Sequence, residues 1–123
     1  MTTNSTEATG DRVVDTTRAV VALTTWPADQ EASTLARALV TERLAACVSV
    51  LQEIESTYAW EGKLRSDRER QIIIKSTRDR VPALHQRLRE LHPYEVPEFL
   101  VLPVAAGSAG YLAWLDGDRR ESS

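Results

Sequence analysis

The sequence has little of what would cross-link it or carry it into a membrane. Cys47 is the single cysteine among 123 residues, so no intrachain disulfide can form, which fits a reducing compartment. No apolar run approaches the roughly 18 residues of a membrane-spanning helix, and the N-terminus has no hydrophobic segment of the kind that signals secretion. We therefore predict a cytoplasmic protein with no membrane partner.

A basic excess is also absent. Fifteen Lys and Arg residues stand against 18 Asp and Glu, a net charge of −3, whereas nucleic-acid binders usually carry a positive surplus. The composition is 42% hydrophobic and 27% charged, as in ordinary globular proteins. A chain of this length can bury a sufficient core by itself. We predict one domain that needs no cofactor to fold and has no nucleic-acid partner.

Composition divides the chain into a core region and two tails. Residues 1–17 are polar and rich in threonine, with Val13 and Val14 as their only adjacent large apolar residues. Such a segment buries too little surface to offset its ordering entropy. We predict a mobile tail at 1–17, a domain at 18–116 and a flexible tail at 117–123.

Hydrophobic periodicity within the domain alternates between strand and helix. The predicted elements are, in chain order, a strand at 19–23, a helix at 28–44, a strand at 46–60, a strand ending at 71–75, a helix from Asp79 to His92, a strand at 99–102 and a short helix around 111–115. The order β-α-β-β-α-β predicts an α+β, ferredoxin-like fold with a four-stranded antiparallel sheet and both helices on one face. The strand at 19–23 and the Ile72-Ile73-Ile74 strand should be central, because each reads as apolar on both faces.

The predicted hairpin at 46–77 is too long for a small sheet. It takes about 30 positions, whereas strands average five or six residues, and its far half carries Tyr58 and Trp60. A long edge strand invites pairing with another chain. We predict that this arm completes the sheet of a neighbouring copy in a closed ring; the alternative is that it folds back on its own domain.

Five strings of residues resemble one known family, in its order and at its spacing. They are AACVSVL (45–51), YAWEGKL (58–64), IIIKST (72–77), HPYEVPEFLVLPV (92–104) and YLAWL (111–115). Over residues 18–116 the chain resembles the CutA divalent-cation tolerance proteins. The resemblance implies a ferredoxin-like subunit, a homotrimer and a role in tolerance to metals such as copper. That trimer is similar to the PII signal proteins, so a sensor of a small ligand is an alternative, and a scaffold for a protein partner is a third.

The donors that suit copper are few: Cys47, His85 and His92. A lone thiol that opens a strand is more often a small buried side chain, and His85 has no other donor near it in sequence. His92 is the metal ligand that we predict, with Glu95 and Glu98 close behind it. Its alternative role is to contact the carbonyls at the end of the preceding helix.

The resemblance also bears on how tightly a metal would be held. Some members of the family have a cysteine at the end of the first strand and a pair of histidines before Pro-Tyr. Thr24 and Leu91 stand at those positions here, with only His92 retained. We therefore expect weak copper binding, although three chains could pool three His92 side chains.

A second candidate site is a cleft between subunits, apolar with a few polar groups, as small-ligand sites are. Its predicted lining comprises Tyr58, Trp60, Lys75, Tyr94, Glu98 and Trp114. Lys75 ends a buried strand and should have a partner, for which Glu98 is the candidate. The alternative is that these residues form a plain subunit interface, where Tyr and Trp are enriched.

Two further function classes find no support. The sequence has no G-x-S-x-G, no glycine-rich phosphate loop and no Cys/His pair close in sequence, so we predict that the protein is not an enzyme. An RNA-recognition module shares the fold plan but needs exposed aromatics on its third strand. Ile72-Ile73-Ile74 occupies that strand here, which excludes this reading.

Overall fold

The computed structural model describes residues 11–117. Its elements are β1 (Val13–Asp15), β2 (Ala19–Pro27), α1 (Ser33–Thr41), β3 (Cys47–Trp60), β4 (Lys63–Thr77), a 3₁₀ turn (Arg78–Arg80), α2 (Val81–Leu91), β5 (Leu100–Pro103), β6 (Ala106–Ser108) and α3 (Ala109–Asp116). The longest helix has 11 residues, and none within 11–117 has the length and apolar character that crossing a bilayer requires.

The main sheet has four antiparallel strands in the order β3-β4-β2-β5. The predicted α+β, ferredoxin-like arrangement is confirmed, as is the central place of β2 and β4. Both helices pack on one face. The core between them and the sheet consists of Ala22 and Trp26 from β2, Ile72 and Ile74 from β4, Leu35 and Leu39 from α1, and Leu84 and Leu88 from α2. We call this the covered face.

The opposite face of the sheet is only partly closed within one chain. The helix α3 covers one end of it, where Leu115 packs on Ala19 and Ala46. Farther along, Ile73 is half-buried, and Leu100 and Leu102 are 57% and 47% exposed. We call this the open face. The prediction that β4 is buried on both faces is therefore wrong for a single chain, because both long helices lie on the same side.

The hairpin of β3 and β4 extends well beyond the core. Its 14- and 15-residue strands pair from Cys47 opposite Lys75 to Trp60 opposite Lys63, with one bulge between Val50 and Glu53. Glu61 and Gly62 form the turn with φ of 52° and 78°, the pair of left-handed residues that a two-residue hairpin turn requires. Side chains of the distal half are largely exposed.

Part of the segment predicted as a mobile tail, 1–17, is a strand. Val13, Val14 and Asp15 form β1, which pairs antiparallel with β6 in a separate two-stranded sheet. Asp11 Oδ1 also accepts the Gly110 N–H of α3 at 2.5 Å. These are mostly backbone contacts with a segment some 95 residues away, and side-chain composition carries no signal of them. Residues 1–10, and all of the predicted C-terminal tail except Gly117, lie outside the described residues.

The two long helices are shorter than predicted. α1 spans Ser33–Thr41 rather than 28–44, because 28–32 form a turn and loop and 42–44 form a turn and a bend. α2 begins at Val81 after the 3₁₀ turn, so Asp79 lies before the helix, while Pro82 occupies its first turn as expected. His92 directly follows α2, and this position brings it to the end of β2.

Candidate functional site

A groove of about 500 Å³ lies beside the distal half of the hairpin. Its lining consists of Tyr58, Trp60, Arg65, Asp67, Glu69, Tyr94, Glu95 and Val96. The strand residues belong to the open face, because Tyr58 lies opposite Arg65 and Glu69 opposite Pro27 in the register. The segment after α2 supplies Tyr94, Glu95 and Val96, which form the other wall.

Two phenols in the groove lie near carboxylates. The Tyr58 hydroxyl donates to Asp67, its diagonal neighbour across the hairpin, and this bond raises the pKa of Tyr58 above its usual value. Burial, followed by the charges of Glu69 and Asp67, raises the pKa of Tyr94. Both phenols therefore stay neutral donors at physiological pH.

Glu69 is the buried carboxylate of this groove, with only 8% of its surface exposed. No Lys, Arg or His among residues 11–117 forms an ion pair with it; the five ion pairs of this part of the chain involve other residues. A buried charge is costly unless it is paired. The groove therefore contains a buried carboxylate that has no cationic partner among the described residues.

His92 lies behind the groove, 7% exposed, with both ring nitrogens engaged. Nε2 lies 2.6 Å from the Thr25 carbonyl oxygen, and Nδ1 lies 3.0 Å from the Tyr94 amide nitrogen. A carbonyl can only accept and an amide N–H can only donate, so the proton must be on Nε2. Burial lowers the pKa of His92, which the Thr25 carbonyl and the charge of Glu69 partly oppose.

This arrangement gives His92 a positional role. Its ring meets Trp26 edge-on at 4.7 Å and lies 5.0 Å from the ring of Tyr94. It joins the end of β2, through Thr25, to the backbone of the segment that carries Tyr94. The imidazole therefore fixes one wall of the groove relative to the sheet.

Known proteins are similar to this chain in both sequence and architecture. A model of the CutA1 divalent ion tolerance protein family matches residues 20–118. The chain belongs to the CutA1 family. Divalent-cation tolerance proteins CutA from Thermus thermophilus and Pectobacterium atrosepticum are 45% and 48% identical to it, over 77% and 83% of this chain and 92% and 93% of theirs.

Solved structures of CutA proteins agree with the fold. CutA from Synechococcus elongatus superposes with a TM-score of 0.80 at 39% identity, covering 91% of this chain and 96% of that one. The Thermus thermophilus protein gives 0.77 at 44% identity, covering 80% and 95%. A second Synechococcus elongatus structure, complexed with a Bis-Tris molecule, gives 0.78 at 38% identity, covering 91% and 100%.

In this CutA1 chain, the predicted copper donors do not converge on one point, although His85, His92 and Glu95 line a common cavity beside α2. His85 stacks on Phe99 with ring centroids 4.6 Å apart, and the half-buried Cys47 lies 3.9 Å from Ser49. Within residues 11–117 no three His, Cys, Asp or Glu side chains are grouped as metal ligands would be. The metal role of His92 stays a prediction, and it would require one of its two hydrogen bonds to open.

The predicted cleft residues separate into three places. Tyr58, Trp60 and Tyr94 do share the groove. Lys75 lies at the other end of β4, where its Nζ contacts the Tyr111 hydroxyl at 3.3 Å, and Trp114 lies there too, 5.5 Å from the Tyr111 ring. Within one chain the six residues are therefore not one site.

Within one chain, Lys75 and Glu98 do not pair. Glu98 instead lies 3.4 Å from the Gln71 side-chain nitrogen, which also donates to the Thr24 carbonyl at 2.8 Å. Gln71 and Lys75 share a face of β4 but are four residues apart, about 13 Å along a strand. One carboxylate cannot reach both positions.

The carboxylates of the groove were missed in the sequence. Arg65, Asp67 and Glu69 fall in a charged run that reads as a solvated hairpin return. The sequence did contain a signal for them. The turn at Glu61-Gly62 fixes the register of the hairpin, and the two-residue period of a strand then places all three residues on the same face as Tyr58 and Trp60.

Proposed function

We propose that this CutA1 protein acts in divalent-cation tolerance as a cytoplasmic homotrimer and catalyses no reaction. Membership of the family and the names of its relatives support the tolerance role. The cytoplasmic location rests on the single cysteine, as argued from composition.

The open face is the observation that supports assembly. Val21, Leu23 and Ile73 form its half-buried centre, and Leu100 and Leu102 its exposed margin. Burying one such leucine fully contributes about 1.5–3 kcal/mol. The strands β3 and β5 are also unpaired edges within the described chain. Copies that share these surfaces in a closed ring would cover the face and both edges.

Sedimentation equilibrium tests the assembly. We expect three times the 13.7 kDa chain mass. Leu102→Glu should reduce this to the mass of one chain, because it places a charge on the apolar margin. Val40→Glu is the matched control, since Val40 is 42% exposed on α1, on the covered side of the sheet. A wild-type protein that remains monomeric at all concentrations would contradict the proposal.

We propose further that copper binds weakly, through His92. Metal binding would break the hydrogen bond to Thr25 or to Tyr94, which costs free energy, and the described residues include no group of three ligands around His92. Titration calorimetry should therefore give low affinity for the wild type and less for His92→Gln, with Cys47→Ala as control, since Cys47 does not line the cavity that His85 and His92 share. Thermal unfolding would establish that both variants fold. Unchanged binding by His92→Gln would place the metal elsewhere.

A second candidate function is that of a PII-like sensor of a small ligand. The groove favours it, because it combines a cavity of suitable size with aromatic walls and charged side chains that could fix the orientation of a ligand. The Synechococcus elongatus relative has been solved with Bis-Tris bound, so a CutA protein can hold a small organic molecule. If this chain does so, Bis-Tris should raise its melting temperature by mass action. No rise over a matched buffer would count against this candidate.

A further inference from the structure

We propose that the groove beside the hairpin selects small organic cations, such as amines and quaternary ammonium compounds. The inference rests on the second candidate function, the sensing of a small ligand, and it names the chemistry of that ligand. Charge, aromatic surface and size support it separately.

The charge of the lining is negative. Asp67, Glu69 and Glu95 face a single cation, Arg65, and none of the four forms an ion pair with another described residue. Glu69 is more than nine-tenths buried, and the neighbouring imidazole of His92 is neutral in the tautomer that its contacts require. A buried carboxylate in this position gains most from a positive partner supplied from outside.

The aromatic groups favour the same sign of charge. Tyr58, Trp60 and Tyr94 line the groove, and aromatic faces attract cations, indole most strongly. The Tyr58 hydroxyl donates to Asp67, so it is not available to an incoming anion. Among the groups lining the groove, Arg65 alone would attract one.

Size and ligand number argue against a bare metal ion. The volume of about 500 Å³ suits an organic molecule, whereas a divalent ion needs several ligands converging on one point. No such group of three is present in residues 11–117. An organic cation, whose charge is spread over several atoms, needs only neighbouring negative charge and aromatic surface, which this groove provides.

Titration calorimetry of the full chain with choline tests the proposal. The controls are 3,3-dimethylbutan-1-ol, which has the same shape without charge, and 3,3-dimethylbutanoate, which is an anion. Choline should bind and the two controls should not. Glu69→Gln should weaken choline binding about tenfold. Glu55→Gln is the matched variant, because Glu55 lies on the other face of the same hairpin, and it should bind like the wild type.

A variant that does not threaten the fold supports the assignment. Trp60 is 55% exposed near the hairpin tip within one chain, and Trp60→Ala should weaken choline binding, with sedimentation equilibrium verifying that the variant assembles like the wild type. Choline binding that is unchanged in both Glu69→Gln and Trp60→Ala would overturn the site.

The uncharged probe distinguishes a failure of cation selectivity from a failure of the ligand-sensing function on which the selectivity rests. If 3,3-dimethylbutan-1-ol binds as tightly as choline, and Trp60→Ala weakens both, the groove is a ligand site without preference for cations. Cation selectivity is then overturned while the sensing function stands. If none of the three probes nor Bis-Tris binds, both are overturned.

Discussion

The two faces of the central sheet are formed by the same strands but are buried to different extents within one chain. On the covered face, Ile72 and Ile74 are fully buried under the helices. On the open face, Ile73 between them is only half-buried. Three identical side chains in one strand thus differ because of what lies over each face. Alternation assigns a residue to a face, but the degree of burial depends on the second layer.

The open face also changes character along its length. Near β5 it is aliphatic, with Leu23, Ile73, Leu100 and Leu102, whereas toward the hairpin tip it becomes aromatic and acidic around the groove. The aliphatic part suits subunit contact, and the acidic aromatic part suits the proposed ligand. One continuous surface can serve both functions because the hairpin extends the sheet beyond its helices.

The strongest test of the difference between the faces is a pair of truncations in one strand. Ile74→Ala should lower the free energy of unfolding by about 2–5 kcal/mol, since it leaves a cavity in the core. Ile73→Ala should cost clearly less when both are made in the Leu102→Glu background, where we expect single chains. Denaturant unfolding measures both. Equal losses would mean that the open face is closed within one chain.

A smaller effect concerns His92, which is buried between Trp26 of the covered face and Tyr94 of the groove. Burial lowers its folded pKa, while the unfolded value is about 6.5. Below pH 6.5 the unfolded chain therefore takes up a proton that folded His92 resists, and stability falls as the pH drops. Above pH 6.5 this contribution is constant.

Unfolding free energies at pH 7.5 and pH 5 should show this difference. The wild type and His85→Gln should lose more stability between the two values than His92→Gln, which has no imidazole to protonate at that site. A wild-type profile that matches His92→Gln would show that the environment of His92 does not disfavour its charged form.

Much of the fold could be predicted because it depends on short-range pattern. The change from two-residue to helical period located α1 and α2, and the Ile72–Ile74 run identified a central strand. β1 could not be found this way, since its partners are backbone groups of β6. The start of α1 was also misplaced, because the turn residues before Ser33 include apolar ones that fit the helical period.

The candidate site was less predictable than the fold. Tyr58, Trp60 and Tyr94 were expected together and share the groove, but Lys75 and Trp114 lie elsewhere. Asp67 and Glu69 were hidden in a charged run. Both line a groove whose other wall, Tyr94 to Val96, comes from a distant segment, and the burial of Glu69 is a property of the folded chain.

The order of elements, the central strands and the likeness to the CutA family follow from local sequence, because apolar period and turn chemistry act over a few residues. The open face, the set of side chains that share the groove and the two hydrogen bonds of His92 follow only from the folded chain. These features depend on segments far apart in the chain, such as Thr25 with His92, and Glu69 with Tyr94 in the lining of the groove. Local periodicity carries no information about such distances.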